Sequence, residues 1–256
     1  MKELLLALPA GRETRARSFG LAPAHMAYRV GAGPKLLGIQ LPQGLRGGLM
    51  QVDCAGFDGE GDPVGCCRQI LGECRRRSFR GIVCDFEGMP VGCLGKLVEI
   101  LDRNCVAQGW ALYVPECYAP HAPQARVLIP SALTHGTLER RLREAVGRYG
   151  AERTALAVEW VREDFLLPAR GRGEPISRET LEEMLRRLEP AVFLDKGLCA
   201  HYFTYMKGPQ AHFVLFDTPR SIREKLNTAK RLEIAAALLP QPEVEDHLDE
   251  IFGADA

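Results

Sequence analysis

The feature that most constrains this chain is a change of hydrophobic period repeated along most of its length. From residue 35 onward, short β-type runs alternate with longer stretches whose apolar residues recur every three or four positions. That alternation is the pattern of parallel βα units. It predicts strands at Leu36–Gln40, Gly48–Asp53, Gly81–Asp85, Ala111–Val114, Arg126–Ile129, Thr154–Val158, His212–Phe216 and Ile234–Leu239. The spacing predicts a helix over Pro63–Ser78, with Val64, Cys67, Ile70, Leu71 and Cys74 on one face, and another over Val91–Ala107. Further helices are expected at Thr137–Tyr149, Ser177–Leu188, Pro219–Arg231 and Glu243–Phe252. Ser177 and Thr180 offer N-caps, Pro219 suits a helix start, and Ser221 fits a cap or a first turn. Ala169–Pro175 reads as a loop, and no hairpin signal stands out. Gly31-Ala32-Gly33 is followed by Pro34, so the glycine-rich fingerprint of an open dinucleotide-binding sheet is incomplete. The fold expected is therefore α/β, a (β/α)8 barrel forming one domain over residues 1–256. Residues 1–34 show no steady period, so its first units should be compact or irregular.

Charge and cysteine usage narrow the function. Lys and Arg total 33 against 33 Asp and Glu, which leaves no basic footprint, and no nucleic-acid partner is expected. No run approaches the roughly 18 apolar residues of a membrane span, so no membrane partner is expected either. The nine cysteines are odd in number and never spaced C-x-x-C, which argues against a zinc ribbon and for packed, reduced thiols. The apolar start, Met1 to Leu8, is at the short limit for a secretory signal and lacks its cleavage pattern, giving a cytoplasmic expectation.

In a parallel barrel the C-terminal strand ends share one face, where sites are built. Those ends carry Asp53, Asp85 with Glu87, Glu116, Glu159 and Asp217. The sharpest signal is Gly81-Ile82-Val83-Cys84-Asp85-Phe86-Glu87, a strand running into two acids at i and i+2 that share a face about 7 Å apart. Such a pair can divide labour, one acid kept protonated while its neighbour's charge orients substrate, an arrangement suited to glycosidic cleavage. Trp160 beside Glu159 suits a sugar face. A divalent ion among Asp53, Glu116 and Glu159 is the alternative use of the same rim. The run Cys199 to Met206 invites a Cys/His nucleophile but lacks anything to lower the thiol pKa, and reads as packed aromatic structure.

The strand ending in Asp85 and Glu87 resembles the fourth-strand motif D-G-x-D-x-D-x-E of family 18 glycoside hydrolases, the chitinase-like barrels. A second segment, His212 to Lys225 with Asp217, Ser221, Ile222 and Lys225, is similar to one in bacterial spore-associated members. The resemblance implies Glu87 as general acid, and Asp85 as the group orienting an N-acetyl carbonyl that attacks the anomeric carbon itself. No cofactor or metal is then required. It also implies a carbohydrate partner, a β-linked N-acetylhexosamine glycan, with Asp53, Glu116, Tyr118, Glu159 and Trp160 as substrate-binding candidates. The chain departs from the motif at Arg80 and Val83, where the family has Asp. It also lacks the sixth-strand Tyr (Leu128-Ile129-Pro130-Ser131) and the Trp ending the last strand (Ala237 to Pro240), and Glu233 stands in place of a glycine. Tyr113, Tyr118, Tyr202, Tyr205 and Trp160 are candidates to replace the lost aromatic groups. A silent barrel that binds glycan or protein is the second expectation.

Overall fold

A computed structural model describes residues 1–86, 88, 92–133, 136–169 and 171–253; Glu87 lies outside the described residues. The chain runs β1 (Glu3–Leu8), α1 (Glu13–Ser18), β2 (Ala22–Gly31), β3 (Lys35–Gly38), β4 (Leu49–Asp53), α2 (Pro63–Arg77), β5 (Gly81–Asp85), α3 (Gly92–Gln108), β6 (Ala111–Pro115), β7 (Arg126–Pro130), α4 (Leu138–Tyr149) and β8 (Thr154–Ala157). It continues with β9 (Arg162–Leu166), β10 (Glu174–Pro175), α5 (Arg178–Leu188), β11 (Phe193–Asp195), β12 (Ala200–Lys207), β13 (Gln210–Phe216), α6 (Pro219–Arg231), β14 (Ala236–Pro240), α7 (Gln241–Val244) and α8 (Leu248–Phe252).

Strands β1, β2, β4, β5, β6, β7, β8 and β14 pair in parallel in that order, and β1 also pairs with β14, closing an eight-stranded barrel. Alternation turns one residue of each strand into a common interior layer: Leu5, Ala24, Leu49, Val83, Tyr113, Leu128, Ala155 and Ala236. The intervening residues point outward to the helices. Ile82 and Cys84 meet Ile70 of α2 and Leu97 of α3, while Ile129 and Leu156 meet Leu142 of α4 and Ile222 of α6. Each fully buried aliphatic side chain contributes about 1.5–3 kcal/mol. The N-terminal end of the barrel is plugged by Glu3, which accepts bonds from Tyr113 (2.9 Å), Arg126 (3.2 Å) and Arg80.

Six of the eight strands expected from the sequence, from Gly48–Asp53 to Thr154–Val158 and then Ile234–Leu239, are barrel strands. Leu36–Gln40 instead falls on β3, an antiparallel appendage to β2, and the barrel takes its first two strands from residues 1–34. β1 is apolar on both faces, so it shows no alternation. In β2 a register shift between Met26 and Tyr28 breaks the two-residue period. The first units are indeed abbreviated, with a six-residue α1 after β1 and β3 in place of a helix after β2.

His212–Phe216 is the second correction. It belongs to β13 of a separate antiparallel sheet, ordered β10-β9-β13-β12-β11 and inserted between β8 and α6. The hairpin absent from expectation joins β12 to β13 at Gly208-Pro209, where Gly208 adopts φ +58°. Helix α5, N-capped by Ser177, covers one face of this sheet with Leu181 and Met184 against Phe203, Val214 and Phe216.

The insert is fastened to the barrel at its base. Lys225 and Asp217, both essentially without solvent exposure, pair at 2.6 Å. Asp217 also accepts from Ser221 Oγ (2.6 Å) and the Val161 amide (2.8 Å), and Lys225 donates to the Glu159 carbonyl (3.0 Å). Thr218 caps α6 and exchanges bonds with Ser221, so Ser221 is a first-turn residue that completes a capping box.

Candidate active site at the barrel mouth

Because β1 supplies the first strand, Gly81–Asp85 becomes the fourth, and Asp85 ends it at the C-terminal mouth with its side chain exposed. Two residues earlier, Val83 is fully buried in the interior layer. On the adjacent strand Gln51, also inward-facing, donates from Nε2 to Asp85 Oδ2 at 2.9 Å. Asp53 is the register partner of Asp85. Its carboxylate is held by Arg29 of β2 through Nε (2.6 Å) and a second nitrogen (3.3 Å), and accepts from the Ala55 amide. Arg80, a potential partner for the motif acids, bonds Glu3 at the opposite end of the barrel. The mouth of β4 and β5 therefore gathers two carboxylates, an amide and a guanidinium. Such a set can orient a substrate amide or hydroxyl through charge-assisted bonds.

The other expected residues are placed variously. Glu159 follows β8, and its carboxylate accepts from the Ala132 amide (2.7 Å) while its own amide donates to Ser131 Oγ (2.8 Å), tying the β7 and β8 rims together. Trp160 stacks on His247, ring centroids 5.0 Å apart at 17°, beside a cleft of about 290 Å³ that Arg162, Glu182 and Asp246 also line. Glu116 is turned toward α4, where Arg141 donates to one oxygen and Tyr149 to the other. Tyr118 is fully buried edge-on to Phe86 at 5.6 Å, within the packing between β5 and α3. Thus Asp53 and Asp85 come together at the mouth, whereas Glu116 and Tyr118 face the outer layer. Asp53, Glu116 and Glu159 each have a different partner and do not converge on a common ion. Among the described residues no three His, Cys, Asp or Glu side chains are grouped to hold a metal.

The aromatic candidates are likewise dispersed. Tyr113 lies inside the barrel with its hydroxyl on Glu3, and Tyr205 donates to Asp164 (2.7 Å). Tyr202 joins a row that crosses four strands of the inserted sheet. Phe165 meets Phe213 at 6.0 Å, Phe213 stacks on Tyr202 at 5.1 Å, and Tyr202 meets Phe193 at 5.6 Å. Phe165 and Phe213 line a cleft of about 600 Å³ between this sheet and the loop after β7, with Leu133, Thr137, Asp195 and Leu198.

Sequence reasoning overlooked Gln51 and Arg29. Gln51 had a signal, since it lies two residues from both Leu49 and Asp53 on a strand already identified. Arg29 had none without β2. Seven of the nine cysteines are buried. Burial pushes the Cys84 thiol well above its ordinary value and raises that of Cys199, as expected of packing residues rather than nucleophiles.

No protein-family model and no curated protein matches the sequence. Solved structures do match in fold. A chitinase from Chromobacterium violaceum superposes with TM-score 0.66 at 16% identity, covering 93% of this chain and 93% of that one. The spore cortex-lytic enzyme SleL of Bacillus cereus gives 0.65 at 16% identity, covering 98% of this chain and 74% of that one. A GH18 chitinase from Cycas revoluta in complex with (GlcNAc)3 gives 0.59 at 13% identity, covering 99% and 98%. At these identities the likeness is one of fold.

Proposed function

We propose that this chain is a divergent family 18-type glycoside hydrolase that takes a β-linked N-acetylhexosamine glycan, a chitin oligosaccharide or peptidoglycan fragment, at the mouth of its barrel. The observation that carries the reading is Asp85 at the end of the fourth strand, flanked by Gln51 and the Arg29–Asp53 pair, in a fold shared with chitinases. In this reading Glu87 protonates the glycosidic oxygen. Asp85 holds the substrate's acetamido N–H, and the acetamido carbonyl displaces the leaving sugar. The chain's own work is to bind, orient and supply one proton. A cytoplasmic address belongs to the same proposal and favours short glycan fragments over polymer; recovery of the tagged protein from the medium would remove it.

A binding-only role is the second reading. It is favoured by Val83 in place of a carboxylate and by Leu238, an aliphatic residue packed against the interior layer, on the last strand. Turnover of chitooligosaccharides separates the two. Hydrolysis by the wild type that falls by about 10²–10⁴ in Glu87→Gln, the range of a lost general acid, supports the enzyme. Saturable binding without turnover supports the binder. Neither turnover nor binding overturns both.

A further inference from the structure

Gln51 is more than nine-tenths buried, yet only one end of its amide is used. Nε2 donates to Asp85, while Oε1 is enclosed without a hydrogen-bond partner among the described residues. An orphaned buried acceptor carries its desolvation penalty without a compensating bond, so its presence needs a reason. The register supplies one. Gln51 lies opposite Val83 and Asp53 opposite Asp85, so the amide occupies the interior space beside the position where the resembled motif carries its middle Asp.

We propose that Gln51 is the positioning residue for Asp85, a neutral substitute for the carboxylate absent at residue 83, able to serve Asp85 in both of its protonation states. An ionised carboxylate only accepts, so the amide must present Nε2 and leave Oε1 unused, which is the arrangement observed. When Asp85 takes a proton, half a turn about the last side-chain bond presents Oε1 to the new O–H. A carboxylate at residue 83 would share that proton and repel Asp85; an amide accepts no proton and leaves Asp85 to titrate without a coupled carboxylate at that position. Groups near Asp85 include Asp53 on β4, paired with Arg29 of β2; Tyr113 on β6 lies opposite Val83, its hydroxyl turned to Glu3. Cys84 points away into the outer core, and Glu87 follows two residues on. The consequence for catalysis, that Asp85 keeps its aim on the acetamido group through the reaction, rests on the function proposed above. The pairing of Gln51 with Asp85 does not.

The test is a carbon-13 NMR titration of the Asp85 carboxyl, with the Gln51 side-chain amide followed by nitrogen-15, in the wild type, Gln51→Met and Gln51→Glu. Losing the donor in Gln51→Met should raise the Asp85 midpoint by about one unit, and Gln51→Glu should replace a single step by two coupled ones. A midpoint unchanged in both variants overturns the assignment. Should neither variant fold, the wild type decides. An amide signal that moves with the Asp85 midpoint is expected, and one indifferent to it overturns the proposal. With a chitooligosaccharide, Gln51→Met should lower kcat more than it changes KM. If the wild type cleaves no glycan, the catalytic reading fails and the titration still judges Gln51.

Discussion

Glu233 follows the C-cap of α6 in the left-handed region, φ +52°, just ahead of the last barrel strand. Glycine is the residue such a helix exit favours, and it is the residue that the resembled family has there. A side chain in that conformation costs about 1–2 kcal/mol, part of which glycine's extra unfolded-state freedom returns. Glu233→Gly should therefore stabilise the protein by about 1 kcal/mol, read as a higher urea midpoint with an unchanged slope. A lower midpoint would contradict the strain. Individual residues were legible where an alternation could be followed: Asp85 ends a strand that the sequence delimits fully. Glu116 is placed away from the other rim acids for a physical reason. Its position just past a strand end was plain, but the chain enters a 3-10 turn there, and Arg141 and Tyr149 draw the carboxylate outward, contacts 25 and 33 residues away along the chain.

Among the elements, the inserted sheet, like the first two barrel strands, had its place concealed in the sequence. β13 reads as a barrel strand because Val214, Leu215 and Phe216 form an apolar run before a well-capped helix, and nothing local distinguishes a parallel neighbour from an antiparallel one. The similar segment from Asp217 to Lys225 gains a physical meaning in the structure, since it clamps both the entry and exit of the insert. Lys225→Met would leave Asp217 buried and unpaired, at a cost of about 3–5 kcal/mol. Adding Asp217→Asn should recover part of that, because the uncompensated charge is gone. Denaturation midpoints measure the totals. Amide exchange should accelerate in β12 and β13 more than in the barrel strands, and a uniform change across both would show that the pair does not fasten the insert.

For the molecule as a whole, barrel closure depends on β1, which pairs in parallel with both β14 and β2. Its pH response follows from two imidazoles, His25 fully buried and His201 half-buried. Burial holds His25, bonded to the Gly47 carbonyl and 5.5 Å from the Phe79 ring, below its ordinary value of 6.5, and His201 likewise. The unfolded chain then binds more protons than the folded one as pH falls through 6.5, so stability is complete above that value and declines below it. The melting temperature should fall between pH 7.5 and 5.5, a range bracketing that value, and His25→Gln, which keeps a donor for Gly47, should flatten the decline. An identical slope in the variant would remove His25 from the account.

In the proposed function the barrel mouth recognises the acetamido group and uses it as the nucleophile. The most direct measurement compares cleavage of a β-linked N-acetylglucosamine tetramer with that of its de-N-acetylated counterpart, with the product anomer read by proton NMR. Cleavage of the acetylated chain alone is expected, with the configuration at the anomeric carbon retained. Equal cleavage of both chains, or an inverted product, would contradict it.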